Sequence, residues 1–200
     1  MDKLEIAFAL FDEYNKKDPS VFVYDGQEYP QEYFFALKLH EWVLKLDPQA
    51  NEELLLASRC QHIGRWESPR ESYPPGREAY LSWRKNLALH HADVASTLLR
   101  EAGYGDQEVE RVREILLKKR IKLDPDVQTI ENALCLVFLQ YQYEVFRKRY
   151  EDDPEKMVNI LHRSLLKMDT QGHAFALQLN YSEEGLKLVN EAVALITKKS

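Results

Sequence analysis

Apolar residues recur at three- and four-residue spacing along most of this chain, and the intervals between those stretches hold most of its seven glycines and eight prolines. That pattern predicts helices joined by short connections. The first runs from Leu4 to Asn15, with Ile6, Leu10 and Tyr14 four apart; Asp18 and Pro19 then open a Tyr-rich, irregular stretch reaching Pro30. Tyr33 to Leu46 carries one apolar stripe, Phe35, Leu39, Trp42, Val43 and Leu46. Asp47-Pro48 stops it, because a residue before proline is pushed out of the helical region. A third helix spans about Glu52 to Arg65, followed by a proline-stiffened loop from Glu67 to Gly76.

A long helix from about Arg77 to Ala102 ends at Gly103 and Gly105, residues suited to a left-handed cap, and Asp106 is placed to cap the next, which ends near Arg120. Asp124-Pro125-Asp126 supplies an N-cap, a proline at the first helical position and an acid near the positive end of the dipole. The helix it starts is the most apolar in the chain: Ala133, Leu134, Leu136, Val137, Phe138 and Leu139 leave almost no polar face, which predicts a place at the centre of the fold. Asp153-Pro154-Glu155 starts a helix to about Lys167, and Ser182-Glu183-Glu184 starts the last, to Lys198. The expected fold is all-α, one helical domain over residues 1–200.

A hydrophobic content of 44% over 200 residues suffices for a native core, and no apolar run approaches the ~20 residues that cross a bilayer. Cys60 and Cys135, the only two cysteines, sit in apolar helical stretches and do not make a disulfide framework. A soluble, cytoplasmic protein is expected, with no membrane partner. The net charge of −6 works against an extended nucleic-acid surface, which depends on many Lys and Arg contacts, but leaves room for a local basic pocket.

Polar groups on otherwise apolar helices are the informative ones, since an unsatisfied buried polar group costs on the order of 1–3 kcal/mol. His40 lies among Ala36, Leu37, Val43 and Leu44; Gln61-His62 closes the third helix; His90-His91 falls within the long fourth; Glu131-Asn132 sits one turn into the central apolar helix. The order of these markers resembles the HD-domain metal-dependent phosphohydrolases. Cys60-Gln61-His62-Ile63-Gly64-Arg65 takes the place of that family's His-Asp doublet with its Ile-Gly-Lys, and His91-Ala92-Asp93-Val94-Ala95 looks like the later histidine segment ahead of Leu98-Leu99-Arg100-Glu101-Ala102-Gly103. The resemblance covers roughly residues 33 to 140 and implies an HD-like core at about 33–150 with C-terminal helices, 154–198, packed on it. The doublet falls on Gln61 and His62 and the terminal aspartate on Asn132, so a strict HD site is not present. The string Arg59-Cys60-Gln61-His62-Ile63 with Arg65-Trp66-Glu67 also resembles a domain-of-unknown-function family sometimes labelled glutamyl-tRNA synthetase, although neither signature of such a synthetase is seen.

The resemblance implies a metal site from His40, His62, His91 and Glu131, with Asn132 beside it. Three imidazoles and a carboxylate suit zinc, manganese, iron or cobalt, and such a metal would polarise a phosphoryl oxygen and acidify bound water. Gln61 would orient that water or the substrate. The competing reading is a set of hydrogen-bonded core histidines. Arg59, Arg65, Arg70, Arg77 and Arg84 are interleaved with Trp66, Tyr73, Tyr80 and Trp83, which predicts an anion-recognition segment with stacking rings, Arg59, Arg65, Trp66, Arg70, Tyr73 and Arg77 touching substrate. Its competitor is a set of salt bridges to Glu67, Glu71 and Glu78 on a solvated loop. Cys60 is expected to be an inert buried thiol and His90 to face solvent, while His162 and His173 have no partner in the pattern.

Three functions are in contention. The leading one is metal-dependent hydrolysis of a nucleotide or other phosphorylated small molecule. The second is a non-catalytic protein that binds a nucleotide, anion or RNA end on a degenerate HD-like scaffold, and the third is an interaction module without a pocket.

Overall fold

The computed structural model of the chain describes residues 2–197. Its contacts gather into two compact units, Met1–Lys119 and Arg120–Ser200, a boundary that falls within the core of about 33–150 expected for a single domain. Helix dominates both units, as the periodicity predicts, and a two-stranded sheet is the one addition to the all-α reading among the described residues.

The first unit holds α1 (Lys3–Asn15), β1 (Val21–Tyr24), β2 (Gln27–Pro30), α2 (Gln31–Leu46), α3 (Glu52–Cys60), α4 (Arg77–Glu101) and α5 (Asp106–Leu116). A capping box opens α1: the Asp2 carboxylate accepts the Glu5 N–H at 2.8 Å and the Glu5 carboxylate accepts the Asp2 N–H at 3.1 Å. The stretch expected to be irregular is an antiparallel hairpin pairing Val21 with Pro30 and Tyr24 with Gln27. It turns at Asp25 and Gly26, both at positive φ (49° and 73°), the backbone that a two-residue Asp-Gly turn favours. Phe22 docks the hairpin on α2, its ring centroid 4.8 Å from both Phe34 and Phe35.

Where α3 was expected to reach Arg65, it stops at Cys60, and Gly64 turns the chain at φ 70° into a single 3-10 turn, Arg65–Glu67. A Cβ at Gly64 would stand 3.0 Å from Glu67 Oε2 and from His90 Nε2, so space as well as φ selects glycine here. Gly103 takes the left-handed cap expected of it (φ 91°), but Gly105 is extended and is itself the N-cap of α5, which leaves Asp106 as the first helical residue rather than the cap. α5 stops at Leu116, short of Arg120, because Lys118 and Arg120 take positive φ (54° and 59°). Phe11, Val43, Leu54, Leu56, Ile63 and Ile115 are fully buried and form the centre of this unit. Beside them, the Arg59 guanidinium is paired with Asp12 and lies 4.9 Å from the centroid of the Phe8 ring.

The second unit holds α6 (Pro125–Tyr141), α7 (Tyr143–Arg147), a 3-10 turn (Lys148–Tyr150), α8 (Pro154–Leu165), α9 (Thr170–Ala176) and α10 (Glu183–Thr197). Asp124 and Asp153 cap α6 and α8 as the Asp-Pro pairs predict, accepting the N–H groups of Asp126 and Lys156 at 3.1 Å each. The apolar helix is the core of this unit, with Ile130, Ala133 and Leu136 fully buried. α8 ends at Leu165, two residues short of Lys167; Lys198, the expected end of α10, lies outside the described residues. The α7 and α9 helices, of 5 and 7 residues, are new relative to the sequence reading. Tyr143 is fully buried, and its hydroxyl donates to the Gly185 carbonyl at 3.0 Å, tying α7 to α10. No helix among the described residues is long and apolar enough to cross a membrane.

Asp12→Ala leaves the buried Arg59 charge uncompensated and is expected to destabilise the protein by about 3 kcal/mol, and Arg59→Met, which leaves the part-exposed Asp12, by less, as measured by urea unfolding. Tyr143→Phe removes the hydroxyl bond to the Gly185 carbonyl and should cost about 1 kcal/mol in the same measurement.

Candidate functional site

The buried face of α4 presents His91, 3% exposed, with Nδ1 2.6 Å from the carbonyl oxygen of Ile63. A carbonyl only accepts, so Nδ1 carries the proton and Nε2 keeps its lone pair. Ile63 lies in the turn that leaves α3, and the bond therefore fixes His91 beside the neighbouring His62, ring centroids 5.7 Å apart. Burial lowers His91 to about 4; the Ile63 bond works against that shift, while Arg65 and His90 add to it. His62, only part-exposed, is held well below the usual histidine range by burial first and then by Arg65, His91, Lys118 and Arg84. Both imidazoles are neutral at pH 7.

Three separate devices bring the cations to this pair. Arg65 opens the 3-10 turn after Gly64, its side chain 42% exposed. Arg84 sits on α4 seven residues before His91, hence on the same helix face. Lys118 is the left-handed residue that ends the run of α5. A carboxylate stands behind them: Glu32, in the first turn of α2 with a side chain only 6% exposed, has Oε1 3.7 Å from Arg65 Nε. Burial raises the Glu32 carboxyl to about 7; Arg65 pulls it down, Asp18 pushes it up, and a hydrogen bond from Gln31 pulls it down. Asp18, itself buried, accepts the Glu32 backbone N–H at 2.9 Å.

The sequence reading did not single out Glu32 or Lys118, and it counted Arg84 among the arginines without placing it in a site. A signal for Glu32 existed: it extends the stripe of Phe35, Leu39, Val43 and Leu46 by one turn, so it had to be buried. Lys118 had none, because its position depends on the backbone reversal after α5.

The other expected residues are occupied elsewhere. His40 has Nδ1 2.8 Å from Ser58 Oγ and sits edge-on to Phe8, with centroids 5.2 Å apart, in the packing of α1, α2 and α3. Gln61 is 4% exposed and its amide donates to the Leu116 carbonyl at 3.1 Å, tying the end of α3 to that of α5. In the second unit, Lys167 Nζ stands 3.4 Å from Glu131. Asn132 donates to Asp169 at 2.9 Å and accepts from Gln128 at 3.0 Å, an arrangement that anchors the start of α9. Among the described residues no group of three or more His, Cys, Asp or Glu side chains is placed to hold a metal ion. His62 and His91 alone, with Arg65, Arg84 and Lys118 as their charged neighbours, do not fit a resident divalent cation.

Of the residues expected to touch substrate, Arg59 is committed to Asp12, and Arg70 donates to the carbonyls of Tyr73 and Pro74 at 2.9 and 3.0 Å, stiffening its own loop. Trp66 packs on Tyr14 at 5.9 Å, the Tyr73 hydroxyl accepts from Asn86 at 3.1 Å, and Arg77 is exposed at the start of α4. Arg65 alone of this set joins the imidazole pair. The competing salt bridges take a different form: Glu67 accepts the Tyr14 hydroxyl and pairs with His90, each at 2.8 Å, so the part-exposed His90 meets a carboxylate as well as solvent. Burial pushes the Cys60 thiol up, as an inert thiol requires. His173 and His162 each meet a backbone carbonyl, of Leu165 at 2.8 Å and Ala192 at 3.4 Å.

No match to the chain is found among curated proteins or among solved structures. A family model, by contrast, matches residues 5–189, nearly the whole of the chain. The chain therefore belongs to the family described as Domain of unknown function (DUF4202).

Proposed function

We propose that the first unit binds a phosphorylated small molecule, a nucleotide or another phosphate ester, at Arg65, Arg84 and Lys118 beside the neutral His62 and His91 pair. The observation that carries this reading is the sign of the charges around His62: the strongest are all positive, in a protein whose net charge is −6. A cluster of positive charge of that kind attracts an anion. Guanidinium groups grip phosphate through paired N–H donors, a lysine adds a point charge, and a neutral imidazole supplies one further N–H. On this reading the HD-like order of motifs survives as a scaffold, and Gln61-His62 serves binding where a His-Asp doublet would serve metal.

Hydrolysis of the bound phosphate is a second reading. It is favoured by His91, whose fixed Nδ1–H leaves Nε2 as a neutral base at pH 7. A phosphatase assay with and without manganese, cobalt or zinc separates turnover from binding.

Isothermal titration with inorganic phosphate tests the binding reading. Wild type should bind, and Arg65→Ala, Arg84→Ala and Lys118→Ala should each weaken binding about tenfold or more, the value of a charge-assisted hydrogen bond. Absence of binding, or equal binding by the triple variant, refutes the site.

A pH dependence follows from Glu32. Once ionised, it competes for Arg65, so the affinity for sulfate, whose own charge is constant in this range, should fall as pH rises from about 6 to 8, through the Glu32 value near 7. His91, near 4, and His62, held low, do not titrate in that window. Glu32→Gln should flatten the profile at the high affinity of the acid side.

A further inference from the structure

In the second unit, α8 and α10 pack through Met157, Leu161 and Leu165 against Val189 and Ala192, all buried. Beside that seam runs an open groove of 790 Å³. Its apolar floor is made by Leu188 and Leu195 of α10 and Val158 of α8, with Tyr150 and Pro154 continuing it. Glu184, Leu188, Glu191 and Leu195 line it at intervals of four, three and four residues, a single face along three turns of α10 and a length of roughly 16 Å. A straight trough between two packed helices, apolar along its floor, has the shape a third helix fills.

The charge of the rim selects the occupant. Four carboxylates, Glu151, Glu155, Glu184 and Glu191, face two cations, Arg147 and Lys187. Arg147 is already committed, to Glu144 at 2.7 Å and Glu184 at 3.1 Å. Among the described residues, Glu151, Glu155 and Glu191 stand outside the ion pairs. Such a rim repels phosphate, which disfavours nucleic acid and anionic membrane surfaces, and it complements lysine or arginine flanking an apolar stripe.

We infer that this groove docks a basic amphipathic α-helix from another protein. The inference stands apart from the phosphate site, which lies in the other unit and shares no residue with it.

The test uses the whole chain and a fluorescent synthetic helix of about 18 residues with leucines along one face and lysines beside them, alongside a control peptide with glutamates for lysines. Fluorescence anisotropy should show saturable binding of the lysine peptide. Leu188→Asp should weaken it by about tenfold or more. The exposed pair Glu155→Lys and Glu191→Lys should lose the lysine peptide and gain the glutamate one, a swap that also decides the matter should Leu188→Asp fail to fold by circular dichroism. No binding, or equal binding of the lysine peptide by wild type and the charge-reversed variant, overturns the inference. So does sedimentation showing a wild-type dimer that the charge reversal dissociates, which would assign the groove to a second copy of the chain.

Discussion

The bond from His91 Nδ1 to the Ile63 carbonyl is the constraint on which the rest of the first unit's polar interior depends. It joins the middle of α4 to the turn after α3, where no regular ladder could satisfy that carbonyl. It also fixes the tautomer of a buried ring. With Ile63 held, Gly64 takes the left-handed turn, Arg65 emerges next, and Glu67 comes round to His90, the neighbour of His91 on the same helix. The five-residue segment Ile63 to Glu67 is thereby stapled to α4 at both ends, and the cation of Arg65 is delivered from a backbone with little freedom.

Burial of charge has two different outcomes in this unit. Arg59 and Asp12 are a committed pair, and the aromatic ring of Phe8 beneath the guanidinium completes its enclosure. Arg65 and Glu32, at 3.7 Å, are not: the guanidinium is 42% exposed while the carboxylate is shut in, so one partner meets solvent and the other does not. Desolvation therefore falls almost wholly on Glu32, which is why its proton is held to about 7 even with a cation beside it. The sequence treats these arginines alike, six residues apart; their packing makes one a strut and leaves the other available.

Helices were legible wherever a long apolar period met a clear stop. Asp124-Pro125 and Asp153-Pro154 mark helix starts because one residue type caps and the next is preset for the first turn. Short elements were not: α7, α9 and the hairpin strands are too brief for periodicity to register, and the Asp25-Gly26 turn is a two-residue signal within a polar stretch. The end of α3 was hidden because Gln61, His62 and Arg65 continue a helical pattern that Gly64 breaks. The candidate site was half legible. His62 and His91 stood out as polar groups on apolar helices and do meet; His40 stood out for the same reason, yet its imidazole is satisfied by Ser58. Spacing along one helix says which residues share a face. It does not say which faces of separate helices converge, and that is where Lys118 and Glu32 enter.

The two cysteines are distributed one to each unit, and both are closed off: Cys60 fully buried with Sγ near the Leu56 carbonyl at 3.2 Å, Cys135 8% exposed with Sγ 3.5 Å from that of Ser164. Alkylating reagents attack an accessible thiolate, and neither thiol offers one while its surroundings are intact. Each reacts only when its own half of the chain opens. The native protein thus carries two built-in clocks, and the ratio of their rates gives the relative looseness of the halves without any label being introduced.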